Sequence, residues 1–126
     1  MITGKHNHEI KRNDTWDRKF GRFKGVDGNF RDMTGSTLQA QARRSVDDPN
    51  VWFELGVEWV DASLGIFRFK LTKEQTKNID GPNKTDVSGV WDLQITFNRE
   101  GETVRYTIME GSVTVSKDVT RTEDEI

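Results

Sequence analysis

Ser36-Thr37-Leu38-Gln39-Ala40-Gln41-Ala42-Arg43 alternates, with Thr37, Gln39, Gln41 and Arg43 on one side and Leu38, Ala40 and Ala42 on the other. Successive side chains of a strand point to opposite faces, so this period of two predicts a strand with one buried face, Leu38, Ala40 and Ala42 inward. Ile66 to Leu71 repeats the pattern, with Phe67, Phe69 and Leu71 set against Ile66, Arg68 and Lys70. Val90 to Phe97, Thr103 to Met109 and Ser112 to Ser116 read as strands too, the last pair bent apart at Glu110-Gly111. Val51 to Leu55 and Val57 to Val60 flank Gly56 as two more. Asp27-Gly28, Asp48-Pro49 and Glu100-Gly101 supply turns, since Gly and Asp tolerate positive φ and Pro breaks a ladder. About eight short strands, spaced roughly 8–12 residues apart, predict an all-β, Ig-like β-sandwich. The period changes once. Thr72 followed by Gln75 forms a capping box, which predicts one short helix over Lys73 to Asn78, ended by Gly81-Pro82.

Composition agrees with thin β-layers. Only 33% of the 126 residues are apolar, but they include seven Phe and four Trp. Such residues anchor a sheet core with large area per side chain. Trp16, Phe20, Leu38, Phe67, Phe69, Trp91, Leu93, Ile95, Val113 and Val115 are the expected core. The length suits a single domain over 1–126. The polar ends, 1–8 and 117–126, are expected to be flexible arms that order on assembly. With no cysteine, disulfide and thiolate chemistry are excluded. A net charge of −2 offers no broad basic field, so neither nucleic acid nor a membrane is an expected partner. Met1 to His6 lacks the apolar stretch of a signal peptide.

Candidate chemistry is sparse. His6 and His8, two residues apart on a strand, would present both imidazoles to one side and could face one metal ion; a specific site wants three or four ligands, and no metal or other cofactor is expected. Asp14, Asp17, Asp27, Asp32, Asp47, Asp48, Asp61 and Asp92 are expected at turns or strand ends, where turn chemistry explains them better than hydrolysis does. No phosphate loop, nucleophile elbow or calcium loop occurs, so the chain is not expected to be an enzyme. Trp16 to Lys24 mixes aromatics with cations. A single-strand nucleic-acid platform is one reading of this strip, and an amphipathic strand with its cations in water is another. Interfaces favour Arg and aromatic residues, so an assembly contact through Trp16, Arg18, Phe20, Arg22 and Phe23 is the better expectation. Trp52 and Trp59 fit either a core or an interface.

Several motifs, taken in order, resemble the N-terminal β-sandwich module of bacteriophage upper-baseplate and tail-fibre adaptor proteins. Lys11-Arg12-Asn13-Asp14-Thr15-Trp16 is similar to the family's opening, with Asn13 where glycine is usual. Asp27 to Leu38 is similar to its Asp-Gly turn and following step into a strand, with Met33 for leucine, and Arg43 ends that strand. Leu71 to Thr76, Trp91-Asp92-Leu93-Gln94 and Glu110 to Arg121 match three later motifs. The likeness runs from about Glu9 to Arg121. It implies a structural virion protein of the tail or baseplate, made in the host cytoplasm, that joins tail parts or fibres as a symmetric homo-oligomer. Asp118-Val119-Thr120-Arg121 would be the exit toward a downstream region; only Thr122 to Ile126 follow, so a bare module is expected. Two other roles remain open on the sequence. One is a capsid-surface or head-to-tail decoration protein. The other is a carbohydrate- or host-surface-binding module in which Trp52, Trp59 and the loop Pro82 to Ser88 stack on sugar.

Overall fold

The computed structural model describes residues 4–21, 24, 31–80 and 85–117. It is an all-β sandwich of two sheets. In chain order the strands are β1 (Gly4–Lys5), β2 (His8–Lys11), β3 (Trp16–Phe20), β4 (Thr37–Arg43), β5 (Phe53–Leu55), β6 (Val57–Asp61), β7 (Ile66–Leu71), β8 (Val87–Arg99) and β9 (Glu102–Ser116). The helix α1 covers Lys73–Lys77, and a 3-10 turn covers Ala62–Leu64. The larger sheet runs β1-β9-β8-β4-β5, with β2 also on β9; the smaller runs β3-β7-β6.

The core is where the alternation predicts it. Ala40 and Ala42 of β4, Leu93 and Ile95 of β8, and Val113 and Val115 of β9 line the inner face of the large sheet. Phe67, Phe69 and Leu71 of β7 face them from the small sheet. The two alanines leave room for the rings opposite. Burying each such large side chain is worth about 1.5–3 kcal/mol, so these rows dominate the fold's stability. Phe20 and Leu38, expected in the core, pack against it half-buried.

The chain switches sheets at Gly56, between β5 of the large sheet and β6 of the small one. A Cβ there would lie 2.3 Å from the Lys70 carbonyl oxygen, so only glycine allows this approach. The Lys70 N–H donates to Gly56 O at 2.6 Å and ties the corner.

Two expectations are corrected. Residues 4–8 are not an arm. β1 and β2 pair in parallel with β9, from Gly4 opposite Met109 to Lys11 opposite Ser116, and His8 is only 2% exposed. The expected arm over 117–126 lies outside the described residues except for Lys117, whose N–H donates to Asp86 Oδ1. The last two predicted strands are one, because β9 continues through Glu110-Gly111. Its pairing with β8 shifts register between Leu93 and Gln94, where Ile108 is the extra, buried residue. That bulge carries the inward set from even positions (Val104, Tyr106) to odd ones (Val113, Val115) without breaking the strand. The β8–β9 turn at Glu100-Gly101 has φ of 52° and 83°, the paired positive values of a tight hairpin.

α1 forms as predicted, one residue shorter. Thr72 accepts from the Gln75 N–H, and the Gln75 side chain accepts from the Thr72 N–H. The helix ends before Gly81-Pro82, because buried Ile79 and left-handed Asp80 (φ 59°) already turn the chain.

Candidate functional site

Two places concentrate polar chemistry. The first is the seat of the N-terminal strand. Gly111 makes it: a Cβ there would sit 1.8 Å from the His6 carbonyl oxygen. That oxygen therefore lies over the glycine and accepts from Trp91 Nε1 at 2.9 Å. The His6 N–H donates to Glu110 O at 3.0 Å, and Asn7 Oδ1 accepts from the Ser112 N–H at 3.1 Å. An asparagine side chain thus replaces a backbone carbonyl where β1 and β2 are interrupted.

His8 then enters an aromatic enclosure. Its ring centroid lies 4.2 Å from Trp91, 4.9 Å from Trp16, 4.9 Å from Phe69 and 4.7 Å from His6. Its Nε2 is buried with no hydrogen-bond partner among the described residues. Burial lowers its pKa to about 3, with the nearby His6 and Arg18 adding repulsion toward a proton. His6 and His8 do lie side by side, as their spacing predicts. No group of three or more His, Cys, Asp or Glu residues able to hold a metal ion occurs among the described residues. The two rings meet edge-on.

The second place is the outer face of the large sheet. Strand register lines up Glu54, Gln41, Asp92, Glu110 and Lys5 in one row across β5, β4, β8, β9 and β1. A shallow cavity of about 330 Å³ lies over Gln41, Asp92, Glu110 and Lys5 of this row, with Arg43, Val46, Val90, Trp91 and Gly111 also lining it. Gln41 Nε2 donates to Glu54 at 2.9 Å, and Lys5 pairs with Glu110. Arg43 donates to the Asp48 carbonyl at 3.1 Å and to Gln41 at 3.4 Å. Asp92 and Glu110 stand directly opposite on adjacent strands, an unfavourable like-charge pairing. Burial raises the Asp92 pKa; Arg43 opposes that rise, and Glu110 adds to it. The face offers hydrogen-bond donors, acceptors and both signs of charge side by side. This suits recognition of a polar surface. Sequence reading missed it because outward polar residues look like ordinary solvated strand faces. Asp92, expected at a strand end, sits mid-strand in β8, and Asp17 lies within β3.

The predicted interface residues are scattered. Trp16 is 3% exposed and belongs to the core, so it presents no surface. Its partner in register is Leu71, and Arg18 and Phe20 fall on the same inner side, opposite Phe69 and Phe67. Arg18 is exposed at the sheet's edge and donates to the Asp17 carbonyl at 2.9 Å. An inward charge on an edge strand disfavours pairing with another strand. Phe20 is half-buried against Phe67 and Phe69. On the outer side, Asp17 meets Arg68, which also pairs with Glu58 at 2.6 Å. The strip is thus divided between two faces. Arg22, Phe23, Asp118, Val119, Thr120 and Arg121 lie outside the described residues.

Trp52 and Trp59 are both half-buried and both engaged. Trp52 Nε1 donates to Asp80 at 3.0 Å, its ring rests against Gly89, and the Arg44 guanidinium lies 5.2 Å from its centroid. Trp59 Nε1 donates to the Ser36 carbonyl at 3.2 Å, and its ring meets Phe67 edge-on. In the loop with which they were expected to stack on sugar, residues 82–84 lie outside the described residues.

The motifs that carried the resemblance meet in space. Arg12, buried, donates to Ile79 O at 2.8 Å and Thr85 O at 3.1 Å, and Thr76 Oγ1 donates to Asp14 O at 2.7 Å. The opening motif is thereby fastened to the helix motif. Trp91-Asp92 pairs with Gly111-Glu110, joining two more. No helix among the described residues is long and apolar enough to cross a membrane. No protein-family model matches this sequence, and no curated protein matches it.

Proposed function

We propose that this protein is a structural component of a bacteriophage virion, acting in the tail or baseplate region as an adaptor that connects tail components or fibres. The observation that carries the proposal is the ordered set of motifs from Lys11 to Arg121, which resembles the β-sandwich module of such adaptors. An all-β sandwich is the fold that this resemblance implies. The mode of action is binding without turnover. Copies on a symmetric ring bury polar faces, and the row from Glu54 to Lys5 is the face best suited to it. Fold alone does not set function, so the test must locate the chain.

Particles produced from the genome that carries this chain are purified and labelled with an antibody against it. Label at the tail tip or collar, in multiples of three or six copies, is the expected result. Label spread over the capsid shell would replace this reading with a decoration role. Absence of label on every particle would remove the virion reading altogether.

A further inference from the structure

We propose that the N-terminal strand, residues 4–12, is an acid-released latch: protonation of His8 detaches it from β9 while the rest of the sandwich stays folded. This inference is independent of any role in a virion.

The geometry isolates the strand as a unit. Among the described residues its sheet pairing is with β9 alone, whose other edge is held by β8; outside the sheet, Trp91 donates to the His6 carbonyl, and the Arg12 side chain at the far end donates to the Ile79 and Thr85 carbonyls. Its backbone is pinned at both ends, by His6 N–H to Glu110 O and by Arg12 N–H to Ser116 O, each at 3.0 Å. It leaves the sheet through a four-residue link to β3 in which Asn13 is left-handed (φ 72°) and its Oδ1 is buried without a partner. Between the pins, His8 is the one ionisable side chain placed inside the sandwich. Glu9 and Lys11 are exposed.

The surroundings of His8 offer a proton nothing. β3 contributes Trp16, Phe20 and the cation Arg18. β7 contributes Phe69, with Arg68 and Lys70 on the opposite face of that strand. β8 contributes Trp91, with Asp92 on its opposite face. The chain before it contributes His6, and its β9 partner is Val113. Glu110 of β9 is engaged by Lys5 on the outer face. No carboxylate faces the ring among the described residues, and its Nε2 has no acceptor. A charged imidazole there must leave.

The sign follows from linkage. His8 titrates near 6.5 when released and at about 3 when seated. The seated form binds fewer protons, so its stability is complete above pH 6.5 and falls as pH drops toward 3. Between pH 7.5 and 5.0 the opening equilibrium rises about 30-fold, in a range where ordinary carboxylates stay ionised.

Amide hydrogen exchange on the whole chain tests this, with rates corrected for intrinsic chemistry. The amides of His6, Arg12 and Ser112 report the latch, and those of the β4–β8 ladder report global unfolding. The expected result is that latch amides open at lower free energy than the ladder, and about 30-fold more readily at pH 5.0 than at 7.5. The His8→Phe variant should lose that pH response. Ring ¹⁵N shifts of His8 in the unmutated protein give a reading that does not depend on the variant folding; they should show a neutral ring at pH 5.0 in the closed form. Three results would overturn the proposal: one shared opening free energy for latch and ladder, no change with pH, or a protonated ring in a still-protected strand.

Discussion

Trp91 shows how much one residue can be asked to do. Its ring closes the His8 enclosure and meets Phe69 edge-on at 5.3 Å, while its Nε1 caps the His6 carbonyl. Trp91→Ala removes both packing and bond, and should cost about 3–5 kcal/mol in chemical denaturation. An unchanged midpoint would remove it from the core. One residue along, Asp92 works against the fold. Its raised pKa means that the folded state favours the protonated form. The ionised carboxylate therefore destabilises at neutral pH, and stability from this group is recovered as pH falls. Asp92→Asn should stabilise the fold at pH 7 by less than about 1 kcal/mol, because the site is partly in water, and the gain should be read as a higher melting temperature. The gain should vanish near pH 3, and a loss of stability at pH 7 would contradict the assignment. Individual residues were unevenly legible. Trp91, Leu93 and Ile95 announce themselves by period, whereas His8 looked like part of a polar tail. Burial of a histidine depends on which strand lies against it, and that partner is about a hundred positions away.

At the scale of elements, local signals were read well and long-range ones poorly. The capping box of α1 is contained in four residues, so Thr72 and Gln75 predict it directly. Thr72→Ala should cost about 1 kcal/mol by loss of the cap, measurable as a shifted denaturation midpoint; no shift would mean that tertiary contacts alone hold the helix. The parallel seat of β1 and β2 has no such local mark. Its one visible trace is Gly111 in the middle of a strand, where glycine often signals a close backbone approach. Gly111→Ala should unseat the N-terminal strand and cost about 1–3 kcal/mol or more, since the clash is with backbone. Loss of protection at the His6 and Arg12 amides would report it, and a native exchange pattern would show that the strand can give way. The bulge at Ile108 was also visible in principle. Apolar residues fall at 104, 106 and 108 and then at 109, 113 and 115, a change of phase that a bend at Glu110-Gly111 was taken to explain. In the strip from Trp16 onward, β3 puts Trp16 inside and Phe20 half inside while Arg18 stays exposed; Arg22 and Phe23 lie outside the described residues.

For the whole molecule, the sandwich followed from counting alternating segments, but its connection pattern did not. Nothing local says that β5 and β6, one residue apart, belong to different sheets, or that the first strands join the last. One consequence of that last arrangement is mechanical. β2 and β9 run in the same direction, so residues 4 and 117 lie at opposite ends of one pair of strands. Tension applied between those two points acts along the strands and loads the bridging bonds together. Pulling the β8–β9 hairpin apart at its open end would instead open its bonds one after another. Single-molecule stretching through residues 4 and 117 should therefore give a higher rupture force than stretching through Val87 and Val115, which face each other at that end, and equal forces would mean that the load is borne elsewhere. A domain tethered in this way behaves as a stiff link in series, able to pass a pull from one neighbour to the next without lengthening.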